Sequence, residues 1–431
     1  MPLLRRGSAD VPPPCCLPRG QGRARGPGAH GGGRAGPIGP ARQRDPPRPD
    51  PLWRNRGHVR GRSGGGLPAR IPAGAPWRGA RHGRGGAFPC RRRKRLGDRA
   101  VHRRRRRQPA APQPRSCTAA SGEHAFRREN MMKVLVVGGT GALGGHAALH
   151  LAAKGHDVTI TGRGEGAPAG TPLTDLGFLR GDYVAGDFTA ERLKGFDWVV
   201  FAAGNDPRHV PEGEDFGAWL LKANHVALPA FFAAAREAGV SRAVQLGSFY
   251  PQAAPELIAG NVYIQSRLAA CEGARAEGRP GFDVVSVNAP FMVGTVPGLS
   301  SAIFEPYVAW AKGQIPIPFF APTGGTNFMS FRSLSEAIEG ALLRGEPGKA
   351  YLVGDENLTF REYFQLFFDA VGSDVVLEER DEELPLLPDV AIPQGRGNTI
   401  SYEPDAGETA LLGYRRGDVA AAVAEIVAQF G

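Results

Sequence analysis

Met132-Lys133-Val134-Leu135-Val136-Val137-Gly138-Gly139-Thr140-Gly141-Ala142-Leu143-Gly144-Gly145 decides the fold of this chain. It reads as an apolar strand, then a glycine-rich turn, then a helix rich in alanine and leucine. A dinucleotide pyrophosphate needs that order. Glycines let the backbone turn sharply and approach the phosphates, and the helix N-terminus offers free N–H groups and the positive end of its dipole. A glycine pattern alone is a weak signal, and here the strand before it and the helix after it supply the required context.

The turn stands about 130 residues into a chain of 431. Residues 1–130 hold about 30 Arg and 1 Lys against about 6 acidic residues, so the basic excess of the whole chain comes from this segment and the remainder is net acidic. Runs such as Arg91-Arg92-Arg93-Lys94-Arg95 sit among Pro and Gly with no periodic apolar face. Such a composition does not bury enough apolar surface to offset chain entropy, so disorder is expected over 1–130. Three readings compete for it. A start assigned too far upstream is favoured, because Arg, Gly, Pro and Ala share GC-rich codons and Met131-Met132 stand directly before the first strand. A basic tail binding RNA or DNA comes second, so a nucleic-acid partner is expected only if the segment belongs to the protein. A targeting peptide comes last, for want of a secretory apolar region.

Four of the five cysteines (Cys15, Cys16, Cys90, Cys117) lie in that segment and only Cys271 in the body. One cysteine makes no internal bridge, and no apolar run approaches the ~18 residues of a membrane span, so a cytoplasmic protein is expected. Residues 131–431 alternate strand and helix patterns, as a doubly wound parallel α/β sheet with crossovers requires. The expected organisation is a Rossmann-type dinucleotide-binding domain over 131–289 and a smaller, mainly substrate-binding lobe over 290–431, some of whose segments return to the sheet. Expected strands include His156–Thr161, Tyr183–Asp187, Trp198–Gly204, Ala243–Leu246, Asp283–Val287 and Ala350–Val353. Expected helices include Ala142–Lys154, Phe216–Ala238 (with Pro229 as a bend), Val262–Ala276, Leu334–Leu343 and Thr359–Val371.

The second strand ends in Gly162-Arg163 rather than an acidic residue. An Asp or Glu there would hold the ribose hydroxyls of NAD, whereas an arginine suits the extra phosphate of NADP. NADP is therefore expected, with NAD as the other option, and a solvated surface arginine is the plainer reading. Ser248 follows the fifth strand, and Tyr263 and Arg267 stand four apart on one helix face. A tyrosine, with an ordinary pKa of about 10, acts as acid or base near neutrality only beside positive charge. Serines after strands and Tyr–Arg pairs are also common structural features. His146, His150, His156, His209 and His225 show no metal-ligand spacing, so no metal is expected. The run Glu378 to Glu383 reads as a solvated loop.

Taken together, residues 133–431 resemble the extended short-chain dehydrogenase/reductase family, also described as NAD-dependent epimerase/dehydratases. Gly138, Thr140, Gly141, Ala142, Leu143 and Gly144 look like its GxxGxxG cofactor turn. Gly186-Asp187-Phe188 resembles its adenine-binding segment, which implies that Asp187 approaches the adenine amino group. Phe201-Ala202-Ala203-Gly204 is similar to the turn lying along the cofactor, and Asn224 falls where the family keeps an Asn on its fourth helix. Ser248 resembles the catalytic Ser/Thr, and Tyr263 to Arg267 the YxxxK helix. Asn288-Ala289-Pro290-Phe291-Met292-Val293-Gly294 looks like the RPxxVYG segment, which brings Pro290 and Met292 to the nicotinamide. Three departures stand out. Arg267 replaces the lysine, and its longer planar fork does not occupy a lysine site without rearrangement. The segment from Ser248 to Tyr263 is shorter than in sugar epimerases, and Phe328 to Leu334 replaces a Val-Asp-Asp-like stretch.

The resemblance implies an NAD(P)-dependent oxidoreductase in which Tyr263 moves a proton, Ser248 holds the substrate oxygen and Arg267 orients the ribose, on a carbonyl or alcohol. The alternatives are a nucleotide-sugar epimerase or dehydratase and a non-catalytic dinucleotide-binding sensor. The substrate site should come from the loop around Asp206 to Glu214 and from residues after Pro290. Phe291, Phe304, Phe319 and Phe320 suggest a rather apolar pocket or, equally, core packing. A small-molecule substrate is expected as partner, and a homodimer is compatible with the sequence.

Overall fold

The computed structural model describes residues 131–204 and 213–431. The basic segment 1–130 with its four cysteines, and His209 with most of the Asp206–Glu214 loop, lie outside the described residues.

Strand β1 (Lys133–Val137) is buried at every residue after Lys133. It lacks the alternation of a half-exposed strand because both faces of its sheet are covered. In chain order follow β2 (Asp157–Gly162), β3 (Gly177–Arg180), β4 (Trp198–Phe201), β5 (Arg242–Ser248), β6 (Asp283–Ala289), β7 (Phe291–Val293), β8 (Phe320–Pro322), β9 (Gly325–Ser330), β10 (Ala350–Leu352), β11 (Glu356–Thr359) and β12 (Glu378–Arg380). Seven of them form a parallel sheet in the order β10-β6-β5-β4-β1-β2-β3. The chain reverses direction across the sheet between β1 and β4. A doubly wound sheet opens its ligand crevice at the C-terminal ends of such a pair.

The α-helices of five or more residues are α1 (Ala142–Ala153), α2 (Phe216–Leu220), α3 (Leu228–Glu237), α4 (Val262–Ala276), α5 (Phe304–Ala311), α6 (Phe331–Arg344), α7 (Phe360–Ala370), α8 (Ala406–Leu412) and α9 (Val419–Phe430) among the described residues. One layer, α1 and α6, packs on the sheet face carrying Val134, Val136, Val200, Val244 and Val285. The other, α3 and α4, packs on Leu135, Val137, Val199, Phe201 and Ala243. Phe201, Phe231 and Phe232 meet there at ring-centroid distances of 5.1–5.8 Å. Each buried side chain of this size contributes roughly 1.5–3 kcal/mol.

After β6 the chain builds a second core from α5, α7 and α9, in which Phe304, Trp310, Phe364, Phe367, Phe368 and Ile426 are buried. Strands β7 and β9 run parallel, with β11 antiparallel to β9, and β8 pairs with β12. Helix α6 and strand β10 then return to the first sheet.

Three expectations are corrected. Tyr183–Asp187 is a turn, and the strand lies earlier, at Gly177–Arg180. This edge strand is only four residues long, with just Phe178 and Leu179 half-buried on its two faces, whereas Tyr183 is apolar because it packs on Phe201 at 4.9 Å. The helix from Phe216 to Ala238 is interrupted not by Pro229 but by a π-helical turn, Leu221–Ala227, and Pro229 falls harmlessly in the first turn of α3. Helix α6 starts at Phe331, before the expected Leu334, because Ser330 caps it by accepting from the Ser333 N–H. As for the phenylalanines, Phe304 and Phe320 are buried in the second core and do not line a pocket, while Phe319 is 38% exposed.

Candidate active site

The glycine turn closes β1 onto α1. Gly138 has φ +79°, and a Cβ there would fall 2.8 Å from the Ala203 backbone, so the turn sits directly on the end of β4. Gly144 lies under the turn, where a Cβ would meet the Gly138 carbonyl oxygen at 2.5 Å. Gly141 caps α1 without a side-chain hydrogen bond, and the first turn holds no acidic residue. The N–H groups and dipole of a twelve-residue helix therefore face the crevice uncompensated. Thr140 packs over Gly162 at the end of β2, and Ala142 and Leu143 are half-buried against the second core.

Arg163 and Asp187 stand on the β2–β3 side. Arg163 is exposed directly after β2. The Asp187 carboxylate accepts from the Asp182 N–H at 2.8 Å and so holds its own turn, while Phe188 is buried beneath the Arg192 guanidinium.

Tyr263 belongs to the first turn of α4 because Asn261 caps that helix, its side-chain oxygen accepting from the Tyr263 and Ile264 N–H groups at 3.0 and 3.2 Å. One turn on, Arg267 is 7% exposed. Its Nη2 donates to the Leu246 carbonyl at 2.8 Å, two residues before Ser248. Its Nη1 lies 3.5 Å from where a Gly204 Cβ would stand. Arg267 is thus bonded to β5 and packed beside Gly204 just past β4, with Ser248 buried at the tip of β5. Asn224 is fully buried in the π-helical turn and donates to Ser266 Oγ at 3.2 Å, while that hydroxyl donates to the Tyr263 carbonyl at 2.8 Å. Pro290 is buried after β6, and Met292 is half-buried between the two cores.

The structure brings Gly138, Ala203, Gly204, Arg267 and the end of β5 into one contiguous line of contacts. Arg163, Asp187 and Phe188 stand apart from it, on β2 and the turn after β3. A dinucleotide fits this line. The uncapped N-terminus of α1 suits a pyrophosphate, and the buried Arg267 Nε, which has no acceptor among the described residues, suits a polar group such as a ribose hydroxyl.

Sequence reading missed Tyr250 and Gln394. Tyr250 follows Ser248 by two residues and donates to Gln394 Oε1 at 3.1 Å, while Gln394 donates to the Gly325 carbonyl at 3.2 Å. Burial, with a smaller contribution from Tyr263, pushes the Tyr250 hydroxyl far above the ordinary tyrosine range, so it stays a neutral donor. Its closeness to Ser248 in sequence was an available signal, but Gln394 is 144 residues away and carried none. Among the described residues no group of His, Cys, Asp or Glu is arranged to hold a metal.

Residues 134–344 match the model of the NAD dependent epimerase/dehydratase family. Among solved structures, the UDP-N-acetylglucosamine 4-epimerase from Bacillus cereus is similar with 18% identity and a TM-score of 0.53, over 69% of this chain and 96% of its own. A second UDP-N-acetylglucosamine 4-epimerase, from Methanobrevibacter ruminantium M1 in complex with UDP-N-acetylmuramic acid, shows 16% identity and a TM-score of 0.56, over 70% and 98%. The Bordetella bronchiseptica enzyme WbmH in complex with NAD+ shows 19% and 0.53, over 70% and 99%. At these identities the likeness establishes the fold. No curated protein matches the chain.

Proposed function

Because residues 134–344 form a domain of the NAD dependent epimerase/dehydratase family, we propose that the protein is an enzyme with the retained-cofactor chemistry of an epimerase or dehydratase. This replaces net oxidoreduction as the leading reading. A nicotinamide dinucleotide, when bound, supplies reversible hydride acceptance at a substrate carbinol carbon. Tyr263, as the phenolate, takes the proton of the substrate oxygen and as the hydroxyl so formed returns it, and Ser248 hydrogen-bonds that same oxygen. Arg267 supplies the positive charge that proton transfer by a tyrosine needs near neutrality. The observation that carries the proposal is the contact line from Gly138 through Ala203 and Gly204 to Arg267 and the end of β5. Nucleotide sugars are the substrate class that the names of the similar structures favour. Arg163, exposed where an acidic residue would hold the ribose of NAD, favours NADP.

One observation favours net oxidation or reduction of a small carbonyl or alcohol instead. Lys312, Arg332 and Arg344, the cations between 290 and 344, already serve the Gly431 carbonyl, Asp418 with Glu425, and the Leu411 and Leu412 carbonyls. A sugar-nucleotide diphosphate would have to be held by other groups.

The full chain, titrated with NADPH and NADH, should bind NADPH more tightly. It is then offered UDP-sugars, followed by NMR, and a carbonyl and alcohol panel, followed at the nicotinamide absorbance. Isomerisation or dehydration without a net nicotinamide change supports the proposal, and net turnover supports the second reading. Binding with neither supports a non-catalytic sensor. Tyr263→Phe should lower kcat by about 10²–10⁴-fold with the cofactor Kd unchanged, and full activity in that variant would remove Tyr263 from the mechanism.

A further inference from the structure

The ends of β2 and β3 carry a pair of charges outside the proposed chemistry. The end of β2 is anchored to the glycine turn. The Thr161 hydroxyl accepts from the Gly138 N–H at 3.2 Å, and Thr140 covers Gly162 so closely that a Cβ there would meet its Oγ1 at 2.7 Å. Parallel pairing sets Gly162 beside Arg180, and the Gly181 N–H donates to the Gly162 carbonyl at 3.0 Å. Arg163 and Arg180 therefore belong to neighbouring strand ends at the same level of the sheet. Arg192 holds the backbone after β3, donating to the Arg180 and Asp187 carbonyls while its guanidinium covers the Phe188 ring. The Arg180 side chain is 61% exposed and, among the described residues, pairs with one carboxylate, Glu165 Oε1 at 2.7 Å. Glu165 is 86% exposed and stands between Gly164 and Gly166, neither of which packs against anything beyond its own loop. The Asp182 and Asp187 carboxylates are turned instead to the Val184 and Asp182 N–H groups of their own turn, each at 2.8 Å.

An exposed ion pair is weak, because water and salt screen it and two long side chains must be held still. A phosphomonoester carries nearly two negative charges and offers a guanidinium two oxygens at once, so it outcompetes a lone exposed carboxylate. We infer that Arg180 is a specificity-determining residue of the cofactor site. Together with Arg163 it takes the 2′-phosphate of NADP, and Glu165 occupies its guanidinium only until that phosphate arrives. The glycines on either side of Glu165 give the carboxylate room to leave, because they add no side chains to the loop and turn freely. The strand ends are the fixed part of this subsite and the loop is its movable part. Choice of cofactor then depends on both arginines rather than on Arg163 alone. The inference rests on the proposed course of the dinucleotide along the glycine turn.

The test measures NADPH and NADH dissociation constants by nicotinamide fluorescence in the full chain, as wild type and as Arg180→Gln, Arg180→Lys and Glu165→Gln. Arg180→Gln should weaken NADPH about tenfold and leave NADH within roughly twofold of wild type. Arg180→Lys keeps the charge without the planar fork, so its NADPH affinity should fall between the two. Glu165→Gln should tighten NADPH by about threefold with NADH unchanged. Equal losses for both cofactors in Arg180→Gln, or no loss for either, overturn the inference. So does weaker NADH binding in Glu165→Gln, because the carboxylate would then hold the ribose hydroxyls. No gain for NADPH in Glu165→Gln overturns the displacement of Glu165. Should Arg180→Gln lower the thermal midpoint of the ligand-free protein, the ratio of the two constants still decides, since lost structure weakens both cofactors alike. Wild type binding neither nucleotide would remove the dinucleotide site and the inference with it. Wild type binding both, with the same ratio in Arg180→Gln, removes the inference alone.

Discussion

His146 sits on the inner face of α1, one turn past the glycine motif, with Nδ1 2.7 Å from Ser335 Oγ and its ring edge-on to Phe331 at 5.9 Å. Burial first, then the charges of His150 and Arg332, hold its pKa down to about 4 against the opposing pull of Asp418. The folded protein therefore keeps His146 neutral while the unfolded chain protonates it near 6.5. Stability is full above pH 6.5 and falls by about 3 kcal/mol as the pH drops to about 4. Urea unfolding at pH 7.5, 5.5 and 4.5 should show that slope, and His146→Gln should flatten it; an unchanged slope would assign the effect elsewhere. That His146 follows the glycine turn on a helix was legible from the sequence. Its partner Ser335 stands 189 residues away, and no local pattern joins the two. The same division applies to Arg267. Its place one turn after Tyr263 could be read from spacing, but its burial and its bond to Leu246 could not.

At the scale of elements, the helix that carries Tyr263 depends on its cap. Asn261→Ala removes the acceptor for the Tyr263 and Ile264 N–H groups and should cost about 1 kcal/mol. Because the first turn of α4 carries Tyr263, kcat should fall further than the small loss of folded protein explains. Equal kcat per folded molecule, measured well below the thermal midpoint, would show that the cap has no role in placing Tyr263. Helix α7 gives a control remote from the crevice. Its capping box joins Thr359 and Glu362, so Thr359→Ala should cost a similar ~1 kcal/mol in urea unfolding with kcat unchanged. Helices α1, α4 and α7 were readable because their apolar content and spacing are local. The edge strand β3 was not, because it is only four residues long with a single apolar residue on each face, and the neighbouring apolar pair Tyr183-Val184 imitates a strand. The π-helical turn at Asn224 was likewise hidden, since hydrogen-bond period is a property of packing against α4.

For the whole molecule, dinucleotide binding and folding are linked. NADPH at a hundred times its Kd should stabilise the protein by about 2.7 kcal/mol, seen as a rise in the thermal midpoint that scales with the logarithm of its concentration. No rise with either NADPH or NADH would contradict the site along β1, β4 and β5. No helix among the described residues is long and apolar enough to cross a membrane. The second core joins the sheet through Arg332, whose guanidinium binds Asp418 at 3.0 Å and so ties the start of α6 to the start of α9. The sequence by itself determined the parallel α/β class, the glycine-rich turn between β1 and α1 and the face shared by Tyr263 and Arg267. Those features rest on interactions within a few residues: glycine sterics, apolar runs and helical spacing. The tertiary structure alone decided that Phe304 and Phe320 fill a core, that Tyr250 reaches Gln394, and that Arg267 binds the Leu246 carbonyl. Each depends on pairing or packing between segments distant in the chain, where burial and missing partners, rather than residue type, set what a side chain can do.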